Sequence, residues 1–145
     1  MSPGTPYPLV LLDLDGTLVD SSLDMARSGN AMLEKLGRPP RPHNELIGFV
    51  GEGLRRFVAR AFGCESHESA PLVEEGSVQV REHYHRHLLD TTAPFPGIPA
   101  ALSRLRDRGS RLAVITNRPE DMARSILEQL ELLELFEDVV GGDRT

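Results

Sequence analysis

Short runs with strand character alternate with longer amphipathic stretches along this chain. Pro8 to Leu14, Leu112 to Ile115 and Phe136 to Val140 are rich in leucine or β-branched residues. Each stops at glycine or polar residues: Gly16, then Thr116 and Asn117, then Gly141-Gly142-Asp143. They read as strands of a parallel sheet, the first two buried. Between the first and second lies a helical pattern. Ser21 with Asp24 has the form of a capping box, and a helix then runs toward Gly37 with Met25, Met32, Leu33 and Leu36 apolar. Arg38-Pro39-Pro40-Arg41-Pro42 is a stiff break. Two helical pieces follow, His43 to Phe49 and Glu52 to Phe62, and a longer helix spans Pro71 to Leu89, weakened by Gly76. Ile98 to Arg108 is helical and ends at Gly109. Pro119 opens a last helix as its first residue, with Met122, Ile126, Leu130 and Leu133 on one face.

This order is an α/β pattern, a parallel sheet core of about three strands with an α-helical domain inserted after the first. The boundaries are a flexible leader over 1–7, a core over 8–19 and 95–145, and the helical insertion over 20–94. Composition narrows the function classes. Hydrophobic residues at 39% and charged residues at 26% describe a globular chain, and a net charge of -6 argues against a general nucleic-acid or membrane-surface binder. A lone Cys64 excludes an internal disulfide and fits a reducing compartment. No apolar run reaches membrane-spanning length and the start lacks a signal-peptide pattern, so the expected location is cytoplasmic.

The chemistry concentrates where the first strand ends, in Asp13-Leu14-Asp15-Gly16-Thr17. Side chains at i and i+2 of a strand share a face, so Asp13 and Asp15 are expected to project together. Such a pair suits metal-assisted phosphoryl transfer, one carboxylate attacking phosphorus while the other moves a proton. In open α/β sheets, sites form at strand carboxyl ends, and both Asp15 and Thr116 obey that rule. Alone, Thr116-Asn117 is an ordinary helix start.

Asp13-Leu-Asp15-Gly-Thr-Leu-Val-Asp20-Ser21 resembles the first motif of the haloacid dehalogenase-like hydrolases in its phosphatase form, and Val114-Ile-Thr116-Asn117 resembles the second. Pro96-Gly97 through Gly109 is similar to the return from the helical cap in the phosphoglycolate phosphatase-like branch. The resemblance implies a Rossmann-like core and a small phosphorylated substrate. Asp13 is then the nucleophile, and Asp15 the acid and base, an assignment that favours phosphoryl transfer over dehalogenation. It implies magnesium held by the Asp13 carboxylate and the Asp15 main-chain carbonyl. Gly16, Thr116 and Asn117 would bind phosphate: Gly16 by letting the backbone approach so that free N–H groups reach its oxygens, Thr116 through its hydroxyl and Asn117 through its backbone N–H. Phosphomutase or pyrophosphatase activity on the same scaffold, and a non-catalytic remnant with a binding role, are the alternatives.

Arg55, beside Gly51 and Gly53, is the candidate for a substrate carboxylate, against a bland reading as a solvated helix residue. His83, His85 and His87 are spread over different helix faces and read as surface or packing residues. Asp143 is left out of the metal set. The family pattern also calls for a lysine and a further acidic pair downstream of Asp143. The only lysine, Lys35, lies in the insertion, and Arg118 is a poor stand-in. The 145 residues therefore read as the N-terminal portion of such an enzyme. The first strand, central in the family sheet, is expected to be left as an apolar edge, which a homodimer would cover.

Overall fold

The computed structural model describes residues 7–64 and 69–144. The expected leader falls almost wholly outside them. The chain forms two compact units, one built from the residues up to Asp20 and from Ala93 onward, the other from Ser21–Thr92.

The first unit is a parallel three-stranded sheet in the order β1 (Leu9–Leu12), β4 (Arg111–Ile115), β5 (Asp138–Val140). Its registers pair Leu12 with Val114, and Ile115 with Val140. A two-residue ribbon joins β2 (Val19–Asp20) to β3 (Ala93–Pro94) in antiparallel fashion. Helices α5 (Ile98–Asp107) and α6 (Glu120–Gln129) supply the crossovers that parallel strands require. Leu14, Leu18, Leu112, Val114, Met122, Ile126, Leu127 and Val139 form the buried core.

One sequence expectation is corrected here. Pro8 to Leu14 is not a buried strand: only Leu9–Leu12 pair, and only with β4, leaving Leu9 49% and Leu11 55% exposed. β1 is thus the apolar edge expected of the first strand in this chain. Pro119 precedes α6 as its cap instead of being its first residue, and Leu133 falls in a separate 3-10 turn.

The second unit packs α1 (Ser22–Lys35), α2 (His43–Ile47), α3 (Leu54–Phe62) and α4 (Ala70–Arg86). Gly76 does not weaken α4; it permits close packing. A Cβ there would lie 2.7 Å from Val58 Cγ1 and 2.8 Å from Met32 Sδ, so larger residues would push α4 away from α1 and α3.

The capping box does not form. Ser21 is the residue before α1, but its side chain makes no cap bond. Asp24 is instead 2% exposed and accepts four donors from the far end of the unit. The donors are Thr91 N–H at 2.9 Å, Thr91 Oγ1 at 2.7 Å, Thr92 N–H at 2.8 Å and Thr92 Oγ1 at 2.7 Å. Burial pushes the Asp24 carboxyl up, but these hydrogen bonds outweigh it and hold the group below its ordinary range.

The three histidines do not all diverge. His83 and His87, one turn apart, stack with centroids 4.3 Å apart, and His83 Nδ1 lies 2.9 Å from Ser28 Oγ. Burial first, and then the neighbouring His87 and Arg86, lower the His83 pKa. No helix among the described residues is long and apolar enough to cross a membrane.

Candidate active site

Three strand exits meet at one edge of the sheet. Because β1 and β4 run parallel with Leu12 level with Val114, the residues after Leu12 and after Ile115 emerge side by side. The Thr116 N–H donates to the Val140 carbonyl at 3.0 Å, which brings the exit of β5 to the same edge. A parallel sheet places its chemistry here because loops at the carboxyl ends are free of ladder bonding.

Asp13 and Asp15 lie just beyond the ladder, in the loop after β1. Alternation nonetheless persists: Leu14 is fully buried, Asp13 exposed and Asp15 half-buried. The Leu14 N–H donates to Asp13 Oδ1 at 2.8 Å, fixing the carboxylate's orientation. The turn then tightens as the N–H groups of Thr17, Leu18 and Val19 all point at the Leu14 carbonyl.

Gly16 sits in this turn at φ 78°, a left-handed conformation that side chains resist. Its N–H donates to the Val19 carbonyl at 2.9 Å. That N–H is thus spent within the turn. Glycine is required at this position by backbone shape.

Thr116 is buried, and its Oγ1 accepts the Arg118 N–H at 3.1 Å. Accepting there leaves the hydroxyl proton as its donor. Asn117 is exposed at the same loop. The glycines after β5 pack onto it: a Cβ on Gly142 would fall 2.5 Å from the Asn117 carbonyl oxygen, and one on Gly141 2.3 Å from the Glu120 nitrogen. Gly142 N–H also donates to the Arg118 carbonyl at 2.9 Å. Backbone atoms cannot yield as a side-chain tip can. Gly142→Ala is therefore expected to cost about 1–3 kcal/mol by overpacking and to shift the Asn117 loop. Thermal unfolding, with the Asn117 amide resonance as a local reporter, checks this.

Asp143, excluded from the metal set by sequence, accepts the Glu120 N–H at 2.8 Å and so caps α6. Glu120 is held down to about 2 by hydrogen bonds from Arg144 and Arg124, whose partners include Asp138, so ion pairs fasten this exit to α6.

Arg118 was undervalued by sequence reasoning. Its Nη2 donates to Asp15 Oδ1 at 2.6 Å and its Nε to Oδ2 at 3.0 Å, a two-pronged pair with both side chains almost wholly buried. A basic residue straight after Thr116-Asn117, in the loop that leaves the strand next to β1, is the signal that locates it. Arg55 lies in the helical unit, 62% exposed, and pairs with Glu74. No cluster of three or more His, Cys, Asp or Glu residues suited to a metal occurs among the described residues.

The family model for haloacid dehalogenase-like hydrolases matches residues 10–145. A phosphoglycolate phosphatase of Chromobacterium violaceum is 43% identical over 136 residues, covering 92% of this chain and 61% of that protein. The fold is shared with a predicted phosphoglycolate phosphatase from Haemophilus somnus, at TM-score 0.84 and 27% identity, covering 97% of this chain and 65% of that one. It is also similar to protein tyrosine kinase A of Mycobacterium tuberculosis, at TM-score 0.79 and 34% identity, covering 98% and 63%. The chain spans about three-fifths of the length of the curated relatives it matches. A model that matches from the first strand through the third, over the strand exits just described, leaves one conclusion: the chain belongs to the haloacid dehalogenase-like hydrolase family.

Proposed function

We propose that the protein is a phosphatase that hydrolyses a small phosphate monoester by way of an aspartyl-phosphate on Asp13. The observation that carries this reading is the emergence of Asp13, Asp15 and Thr116 from neighbouring strands at one sheet edge. Identity with phosphoglycolate phosphatases, 43% for the relative from Chromobacterium violaceum, supports phosphoglycolate as the substrate class.

Asp13 is suited to attack. It is exposed, it is steered by the Leu14 N–H through Oδ1, and Oδ2 has no partner among the described residues. Oδ2 forms the new bond to phosphorus as the bond to the substrate's alkoxide oxygen breaks. Asp15, protonated for this half, gives its proton to that oxygen. In the second half the Asp15 carboxylate takes a proton from water, whose oxygen bonds to phosphorus and releases Asp13. The Thr116 hydroxyl donates to a phosphoryl oxygen, oriented by the Arg118 N–H that it accepts. The Asn117 N–H is assigned the same task.

The donor set fits magnesium: the Asp13 carboxylate and the Asp15 carbonyl are both oxygens, and this ion commonly takes one or two protein ligands beside phosphate and waters. When bound, it supplies the positive charge that lets an anionic nucleophile approach a phosphate dianion. The helical unit is assigned the role of a cap that selects the leaving group. Exposed Leu9 and Leu11 support self-association through β1, and sedimentation as a monomer removes that part. The lone Cys64 supports a cytoplasmic setting.

Phosphate release from phosphoglycolate, hexose phosphates, nucleotides and pyrophosphate tests the reading. Phosphoglycolate is expected to give the highest kcat/KM, with activity lost on chelation and restored by magnesium. Preference for pyrophosphate, or transfer to a sugar without free phosphate, overturns it.

A further inference from the structure

We propose that Arg118 is a positioning residue for Asp15, aiming the proton-transferring carboxylate at the leaving group's oxygen; this rests on the phosphatase reading above. Asp15 needs such a partner. It lies beyond the β1 ladder, in a loop whose backbone alone leaves a short side chain several orientations. Arg118 removes that freedom by bonding both carboxylate oxygens, at 2.6 Å and 3.0 Å. A planar guanidinium fixes a carboxylate's plane as well as its place, which a lysine's single ammonium does not.

Arg118 is itself held at its backbone. Its N–H donates to Thr116 Oγ1 at 3.1 Å, and its carbonyl accepts from Gly142 N–H at 2.9 Å. One residue therefore links the hydroxyl assigned to phosphate with the carboxylate assigned to the proton. The link fixes both relative to a common backbone.

Stability is a weak explanation for the pair. Its side chains are 4% and 10% exposed, and a buried ion pair regains little more than its desolvation cost, so apolar residues would serve a core as well.

The test separates positioning from structure by the leaving group. Phosphoglycolate expels an alkoxide that needs a proton, whereas acetyl phosphate expels acetate, which does not. Arg118→Met is expected to lower kcat/KM for phosphoglycolate roughly tenfold to a hundredfold, but that for acetyl phosphate by less than about threefold. Arg118→Lys should fall between. In an Asp15→Asn background, Arg118→Met should bring no further loss, because the residue acts through Asp15. An independent readout needs no turnover: the Arg118 Nε–H resonance should be resolved and slow to exchange in the unaltered protein, and lost in Asp15→Asn.

Equal losses on the two substrates, or additivity with Asp15→Asn, overturn the assignment while leaving the phosphatase reading intact. So does absence of the protected Nε–H signal in an active protein. An unaltered protein inert toward both substrates with that signal present contradicts the phosphatase reading, and the positioning role with it.

Discussion

Asp13→Asn is expected to reduce phosphate release by roughly four orders of magnitude or more. The amide has the same shape but lacks the negative oxygen that forms the bond to phosphorus. Its carbonyl oxygen still accepts the Leu14 N–H that Asp13 Oδ1 accepts at 2.8 Å, so the loop after β1 should keep its form. Loss of activity then reports chemistry rather than unfolding, and a thermal melt matching that of the unaltered protein confirms it. Asp15→Asn should behave differently. It removes only the proton transfer, about two to four orders of magnitude on an alkyl phosphate, and less where the leaving group is already a stable anion. Activity retained in Asp13→Asn removes the covalent mechanism.

Asp24→Asn is expected to destabilise the helical unit by about 2–4 kcal/mol at neutral pH. Four donors converge on two carboxylate oxygens, and an amide turns one of those oxygens into a donor facing other donors. The buried Thr91 and Thr92 groups then lose acceptors that water cannot replace. The pH dependence has a definite sign. The folded carboxyl sits below its ordinary value of 3.8, so its contribution is complete above that pH and is lost as pH falls through the folded value. Urea unfolding of the two proteins should therefore differ most near neutrality and converge in acid. Equal midpoints at neutral pH would show that the clasp contributes nothing.

Local chemistry made much of this fold legible in the sequence. The acidic turn after the first strand, the Thr116-Asn117 exit and the closing Gly141-Gly142-Asp143 were readable because turn residues and apolar runs act over a few positions. What escaped was set by distant partners. Asp24 reads as a capping acid by spacing alone, but its oxygens found donors at Thr91 and Thr92, which no local pattern announces. Gly76 reads as a weak point in its helix because propensity ignores the side chains of Met32 and Val58 that need its missing Cβ. β1 read as buried because an apolar run records composition, whereas burial depends on which strands lie alongside. Two-residue β2 and β3 carry too few positions for any period to show.

The site was divided in the same way. The types and order of Asp13, Asp15 and Thr116 stand in the sequence, and parallel pairing of β1 with β4 brings their loops together. Gly16 stands where the turn needs a left-handed residue, and the turn consumes its own N–H. Arg118 was weighed as a substitute for a lysine, when its fork reaches Asp15 across the strand boundary.

Trapping the covalent intermediate tests the central claim most directly. The protein is mixed with magnesium and acetyl phosphate, quenched in acid and reduced with borohydride, and its peptides are then sequenced by mass spectrometry. Homoserine is expected at position 13, formed by reduction of the aspartyl-phosphate, and none in Asp13→Asn. Substrate turnover with position 13 unchanged, or the modification at any other acid, would contradict it.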